Sequence, residues 1–476
     1  MSTGHRENLG SVNSHWLGAG FLFIAAFINT LDATIVNLGL PSIKQDLSAS
    51  DTSMQWVLVV YVLAFAAGLL PFGRFGDVYG RRRLFVWGLT GFIAASAWCG
   101  AVQDVETLIV ARTVKGLAAA TMLPQVLAII RATFPANDMS KAIGYFAMVS
   151  GFGAMAGPLV GGLLISADFF GLGWRLIFLI NVPLGAIALA GVIVFLPDVK
   201  ERHTQHVDWT GALLFAAAIS ALLYPMIEGR ALGWPIWLMM ICVLAVVLMG
   251  AFLRSQYLRA ARNRTQLLPV RMLKNPGFLI GIGGVTLLFA GIAGSIVVLT
   301  IVLQSGFGLS PAIAGGILAA HPLSAMAASF ATGQMGTRLT AERTLLGCLS
   351  ILIGMIWLQA LIGTEVQSFV LWGPLVLTGA GMGSATVAMF QSVLREVPGA
   401  DAGAGAGALQ AFQQIGIALG VAIVGQVFFA ALEQSAGQSR YVEAIETALW
   451  LPIAIYSFLS LGAVKSFLTE RARNAH

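Results

Sequence analysis

Charged side chains make up only 10% of these 476 residues, against 58% hydrophobic, too few to wet the surface of a soluble chain of this length. The mean hydropathy of +0.85 agrees. Cysteine is nearly absent: Cys99, Cys242 and Cys348 stand in apolar stretches with no paired spacing, which indicates neither a disulfide framework nor a zinc site. His203 and His206 share a polar connector that offers no third ligand, so no metal site is expected there. No Gly-Lys-Ser/Thr run occurs, and no polar segment is long enough to fold as a nucleotide-binding domain, which argues against an ATP-driven pump. His-Glu-x-x-His and Gly-x-Ser-x-Gly are missing too, so an enzyme is not indicated, and no cofactor is expected. A short apolar region followed by a small-residue cleavage site is also lacking, so the first apolar run reads as a retained span.

What the sequence has in abundance is apolar runs long enough for a hydrocarbon core of about 30 Å. They fall near 16–40, 54–73, 84–102, 106–130, 141–166, 174–196 and 208–228, then near 234–254, 276–303, 311–336, 343–362, 367–394, 403–432 and 444–466. Fourteen spans place both termini on one side. With that side cytoplasmic, only Lys44, Arg175, Arg230 and Arg440 of the 27 basic residues fall outside, and Arg112 and Lys115 fall within spans. The bias sets the orientation. The basic pI therefore reflects topology, and no nucleic-acid partner is expected, because no loop could form an aqueous basic domain.

An internal repeat organises the chain. LLPFGRFGDVYGRRRLFVWG at 69–88 and ASFATGQMGTRLTAERTLLG at 328–347 align Gly73 with Gly333, Gly76 with Gly336 and Arg83 with Arg343. The copies lie further apart than one six-span half, which leaves the span pair at 208–254 as an insert. The expected fold is an all-α integral membrane protein of fourteen transmembrane helices: a six-helix bundle over 1–196, an inserted two-helix segment with its flanking loops over 197–275, and a second six-helix bundle with a short tail over 276–476.

Four stretches carry a family resemblance. Gly73-Arg-Phe-Gly-Asp77-Val-Tyr-Gly80-Arg81-Arg82 resembles the signature loop of the major facilitator superfamily, and Gly153-x-x-x-Gly157-Pro158-x-x-Gly161-Gly162 is similar to its antiporter signature. Leu31-Asp32-Ala-Thr34-Ile-Val-Asn37-Leu-Gly-Leu-Pro41 and Trp174-Arg175-Leu-Ile-Phe178-Leu-Ile-Asn181-Val-Pro183-Leu-Gly185 resemble segments of its fourteen-span drug:proton antiporter branch. The resemblance covers nearly the whole chain. It implies proton-coupled efflux of amphipathic drugs, biocides or secondary metabolites across the plasma membrane (the bacterial inner membrane), by a protein that functions as a monomer. Export of a specific neutral or acidic metabolite or lipid, and ligand sensing without transport, are the alternatives.

Asp32 is the one carboxylate well inside a span, and an intramembrane ionisable group marks a functional site by default. Arg112 occupies the arginine position of the family's span-4 signature and is the natural partner of Asp32 if spans 1 and 4 face one wet cavity. The resemblance thus implies that Asp32 carries the proton and Arg112 tunes it. Lys115 stands where relatives usually have glutamine. Sharing a helix face with Arg112, it is an auxiliary proton carrier, a ligand for an acidic or polar substrate, or a stem that reaches water or a backbone carbonyl. His321, before Pro322, is a further proton-coupling candidate or a neutral hydrogen-bonded histidine. Asn29, Gln125, Gln304, Gln410 and Gln414 are candidate substrate contacts, with interhelical hydrogen bonding as the alternative. Gly73, Asp77, Gly80, Arg81 and Arg82 are expected to form a conformational latch or a topogenic basic loop. Gly153, Gly157, Pro158, Gly161 and Gly162 are expected to pack a neighbouring helix closely or to seal the cavity.

Overall fold

The structure, a computed structural model, describes residues 4–134, 136–196, 208–262, 264–335, 340–362, 368–398, 402–435 and 440–474. Its elements are helical, with fourteen spans long and apolar enough to cross a bilayer and no strand among the described residues. In the first half these are α1 (Gly4–Asp46), α2 (Asp51–Tyr79), α3 (Arg81–Ala101), α4 (Val105–Thr133), α5 (Ala136–Ala167), α6 (Gly173–Phe195) and α7 (Trp209–Glu228). The second half holds α8 (Ile236–Ala261), α9 (Pro276–Gly306), α10 (Pro311–Gln334), α11 (Thr340–Ile362), α12 (Trp372–Arg395), α13 (Ala402–Gln434) and α14 (Arg440–Asn474). Helix is the form that satisfies every backbone polar group inside hydrocarbon.

The starts of these helices are written in their caps. Ser50 accepts from the Ser53 backbone N–H at 3.0 Å, Asp208 from that of Gly211 at 2.8 Å, and Asn275 and Ser310 each precede a proline at the first helical position. Asp104 accepts from the backbone N–H and hydroxyl of Thr107, bonds that hold its carboxyl below the usual carboxylate range.

Packing repeats between the halves. In the first half α1 lies on α5 and α6, and α4 on α2 and α3; in the second α9 lies on α13 and α14, and α12 on α10 and α11. The two bundles meet crosswise, α2 against α13 and α5 against α10, while α7 packs on α8 and along the α2–α13 seam. A buried polar knot secures the inserted pair: Asp208 accepts from Gln256 Nε2 at 2.8 Å and lies 3.2 Å from Arg259 Nε. His203 and His206 lie outside the described residues.

One expected loop is mostly helix. α2 continues to Tyr79, and the whole connection to α3 is Gly80, at φ +97°. A side chain is strained at that angle, so glycine is required there. Gly76 instead lies against Gln125 of α4, with no room for a Cβ.

Candidate functional site

The polar centre of the first bundle is assembled from α1, α2, α4 and α6. Asp32 Oδ2 accepts from Arg112 Nη1 at 3.1 Å. Asp32 Oδ1 accepts from Lys115 Nζ at 2.5 Å and from Asn181 Nδ2 at 3.0 Å. Arg112 Nε also donates to the Val57 carbonyl at 3.0 Å. Aromatic faces complete the cage: Tyr61 lies 4.3 Å from the guanidinium, while Phe92 and Phe178 lie 4.8 and 5.0 Å from the Lys115 ammonium. Tyr61 in turn donates to Asn29 Oδ1 at 3.1 Å.

Burial is complete: Asp32, Lys115 and Asn181 are 0% exposed and Arg112 is 1% exposed. Each ion so enclosed loses several kcal/mol of hydration, so the charge-assisted bonds and ring faces are what keep the group in place. Two cations share one carboxylate, leaving one excess positive charge.

The arrangement bears on two expectations. Arg112 does pair with Asp32, but inside a sealed bundle and not on a wet cavity. Lys115 is fully buried, and its ammonium bonds to Asp32 beneath the rings of Phe92 and Phe178.

The remaining candidates are dispersed. Gln125 is 0% exposed and donates to the Phe72 carbonyl at 2.8 Å, so it joins α4 to α2 and faces no cavity. Gln304 donates across the bundles to the Leu38 carbonyl at 3.1 Å, at the edge of a recess formed with Pro41, Ser42 and Pro311. Gln410 and Gln414 are half-buried on α13. His321 belongs to the other bundle, where its Nδ1 lies 3.2 Å from the Thr378 hydroxyl.

Arg81 and Arg82 donate to the carbonyls of Ala128 at 3.0 Å and Ile193 at 2.6 Å, binding the start of α3 to α4 and α6 within one bundle. The Asp77 side chain lies outside the described residues, and Gly73 is in ordinary contact with Pro124. On α5, Gly153, Gly157 and Gly161 receive α1: a Cβ at Gly157 would meet Thr34 Cβ at 2.8 Å. Gly162 and Pro158 receive α10: a Cβ at Gly162 would meet Ala312 Cα at 2.9 Å, and one at Gly315 would meet the Pro158 carbonyl oxygen at 2.2 Å. One helix thus presses on its own bundle with one stripe and on the other bundle with the next.

Among the described residues, bonds between the bundles are found at the face remote from the termini. Besides Gln304 and Leu38, the Ala312 backbone N–H donates to Ser166 Oγ at 3.1 Å. On the same face Trp174 and Arg175 donate to Asp46 at 2.9 and 2.7 Å, fixing the start of α6 to the end of α1.

Sequence reasoning missed Asn181 as a partner of Asp32. The signal was present: it is an amide in an apolar run, just before Pro183, whose missing N–H interrupts the helical ladder of α6. Tyr61, Phe92 and Phe178 carried no signal, since rings are ordinary in such spans.

The Major Facilitator Superfamily family model matches residues 22–421. The probable actinorhodin transporter of Streptomyces coelicolor is 32% identical over 89% of this chain and 74% of its own length. The puromycin resistance protein pur8 of Streptomyces alboniger is 34% identical over 87% of this chain and 81% of its own. The riboflavin transporter RibZ of Clostridioides difficile is 30% identical over 92% and 95%. Among solved structures, a bacterial homologue of the human lysosomal transporter Spinster, inward-facing and unoccupied, gives a TM-score of 0.68 at 17% identity, covering 96% of this chain and 97% of that one. This last likeness is one of fold.

Proposed function

This chain belongs to the Major Facilitator Superfamily, and we propose that it exports amphipathic small molecules in exchange for protons. The relatives' names concern actinorhodin, puromycin and riboflavin, which supports ring-bearing antibiotics or metabolites as cargo. The observation that carries the reading is the sealed cluster of Asp32, Arg112, Lys115 and Asn181. Burying such ions costs several kcal/mol each, and a carrier that alternates access can expose them to one side at a time, which supports a transport role. A gradient of one pH unit supplies about 1.4 kcal/mol per proton, and 100 mV adds about 2.3 kcal/mol per charge.

The membrane is the plasma membrane (the bacterial inner membrane), with both termini in the cytoplasm, on the strength of the basic-residue bias. Bonding at the remote face then makes this conformer closed to the outside. The working parts divide as 1–196, 197–275 and 276–476. Gln410 and Gln414 face the cargo, His321 is a second protonatable group in the other bundle, and the segment from Gly73 through Asp77 to Arg82 biases the closed and open states. Each chain contains both bundles and the entire cluster, which supports a functional monomer.

The test is uptake into inside-acid proteoliposomes of puromycin, riboflavin and actinorhodin. Accumulation of at least one of them, abolished by a protonophore, is expected. Counterflow without any accumulation driven by the pH gradient would remove the proton from the mechanism, and binding without counterflow would make the protein a sensor.

A further inference from the structure

The expectation that Asp32 carries the proton conflicts with the charges around it. Its carboxylate already accepts from Arg112, Lys115 and Asn181. Protonating it would leave Arg112 and Lys115 as two buried cations with no counter-charge. The cost of enclosing charge in a low-dielectric medium rises steeply with net charge, so a doubly positive cluster is the worst of the available states. Removing one proton from a cation instead leaves a neutral cluster, an ionised Asp32 paired with an ionised Arg112.

Only one of the two cations can do this. A guanidinium keeps its proton in proteins, whereas a buried lysine gives its proton up readily. The groups facing Lys115 are Asp32 on α1, Arg112 on its own helix and the Cys99 thiol on α3, and the Asn181 amide on α6 donates to the same Asp32 oxygen. Tyr61 of α2 faces Arg112. None of them is a second carboxylate.

We propose that Lys115 holds the exchangeable proton of this transporter and that Asp32 is its relay. This rests on the antiport reading above and specifies the atom. In the loaded state Lys115 is an ammonium bonded to Asp32 Oδ1. On release the N–H bond breaks with its electron pair staying on Nζ, the proton passes across the 2.5 Å contact to Oδ1, and water admitted on the releasing side takes it as hydronium. The cluster goes from one positive charge to none. Asn181 Nδ2 and Arg112 hold the ionised carboxylate in place throughout.

The test compares the parent with Lys115→Arg, which keeps the positive charge and cannot release it. In detergent, with whichever of puromycin, riboflavin or actinorhodin the parent moves, the parent releases protons when the compound is added. The variant is expected to release at least about tenfold fewer protons for each molecule of compound it binds. Isotope-edited difference infrared spectroscopy of the parent provides a second reading that needs no folded variant at position 115. With Asp32→Asn as the reference for assignment, no stable carboxylic acid band of Asp32 is expected before or after release. Parental proton release by Lys115→Arg, or a persistent Asp32 carboxylic acid in the loaded parent, overturns the assignment and leaves antiport intact. A parent that moves compounds without releasing any proton overturns both.

Discussion

Lys115 Nζ lies 2.5 Å from Asp32 Oδ1 while Arg112 holds the carboxylate's other oxygen. One carboxylate therefore keeps two cations of α4 inside the first bundle. Removing it is expected to be more damaging than removing either cation. Asp32→Asn should destabilise the protein by about 3–5 kcal/mol, the usual cost of leaving a buried charge unpaired. Adding Lys115→Met to Asp32→Asn should return part of that loss, because the surplus cation goes too. Thermal unfolding in detergent of the two single variants and the double variant measures this coupling; additive effects would mean that the two side chains do not share the energy the geometry implies.

Asn181 gives its amide N–H to the same oxygen as Lys115, and its Oδ1 is buried with no hydrogen-bond partner. Asn181→Ala is expected to lose one bond to a charged acceptor, about 1.5–3 kcal/mol. It should also change the pH profile of gradient-driven export, because the carboxylate loses one of three donors. A stability loss with an unchanged profile would confine Asn181 to a packing role.

The bundles touch at the remote face, where the Ala312 N–H reaches Ser166 Oγ at 3.1 Å. A pair of cysteines placed there, Ser166→Cys with Ala312→Cys, in a background without Cys99, Cys242 and Cys348, should form a disulfide in the resting protein. The bond should abolish export, and reductant should restore it. Unimpaired export by the oxidised protein would show that the bundles do not separate at this face.

Gly162 meets α10 with no room for a side chain. Gly162→Ala should therefore disfavour the conformer in which these helices touch and lower the disulfide yield of the pair just described. Gly316, with open space at its Cβ position, is the control: Gly316→Ala should leave the yield unchanged.

Asp208 caps α7 and accepts from Gln256 of α8. Asp208→Ala should cost about 0.5–2 kcal/mol for the cap alone and should raise proteolysis between α6 and α9. Equal proteolysis of variant and parent would mean that the inserted pair holds together without the knot.

Much of this architecture was legible because hydrocarbon enforces it. Spans must be long and apolar, and a deep charge must find a partner, so Asp32 and Arg112 could be paired before any coordinates. Amides are less legible. Gln125 and Gln304 look like ligand contacts in the sequence, yet both spend their donors on backbone carbonyls of neighbouring helices, a use that leaves no pattern. Asn181 was hidden for the same reason. Lys115 was conspicuous as a departure, but its partner depended on how α4 is rotated, which the spacing of apolar residues in a helix buried nearly all round does not fix. The glycines at the end of α2 suggest a loop in the sequence, although only Gly80 breaks the helix.

The most direct measurement of the central claim sets gradient-driven accumulation beside counterflow in the same proteoliposomes, for the parent and for Asp32→Asn. Counterflow needs alternating access and no net proton movement, whereas accumulation needs both. The expected result is that the Asp32→Asn protein retains counterflow and loses accumulation driven by an acid interior. Accumulation by this variant at the parental level would contradict proton coupling through the Asp32 cluster.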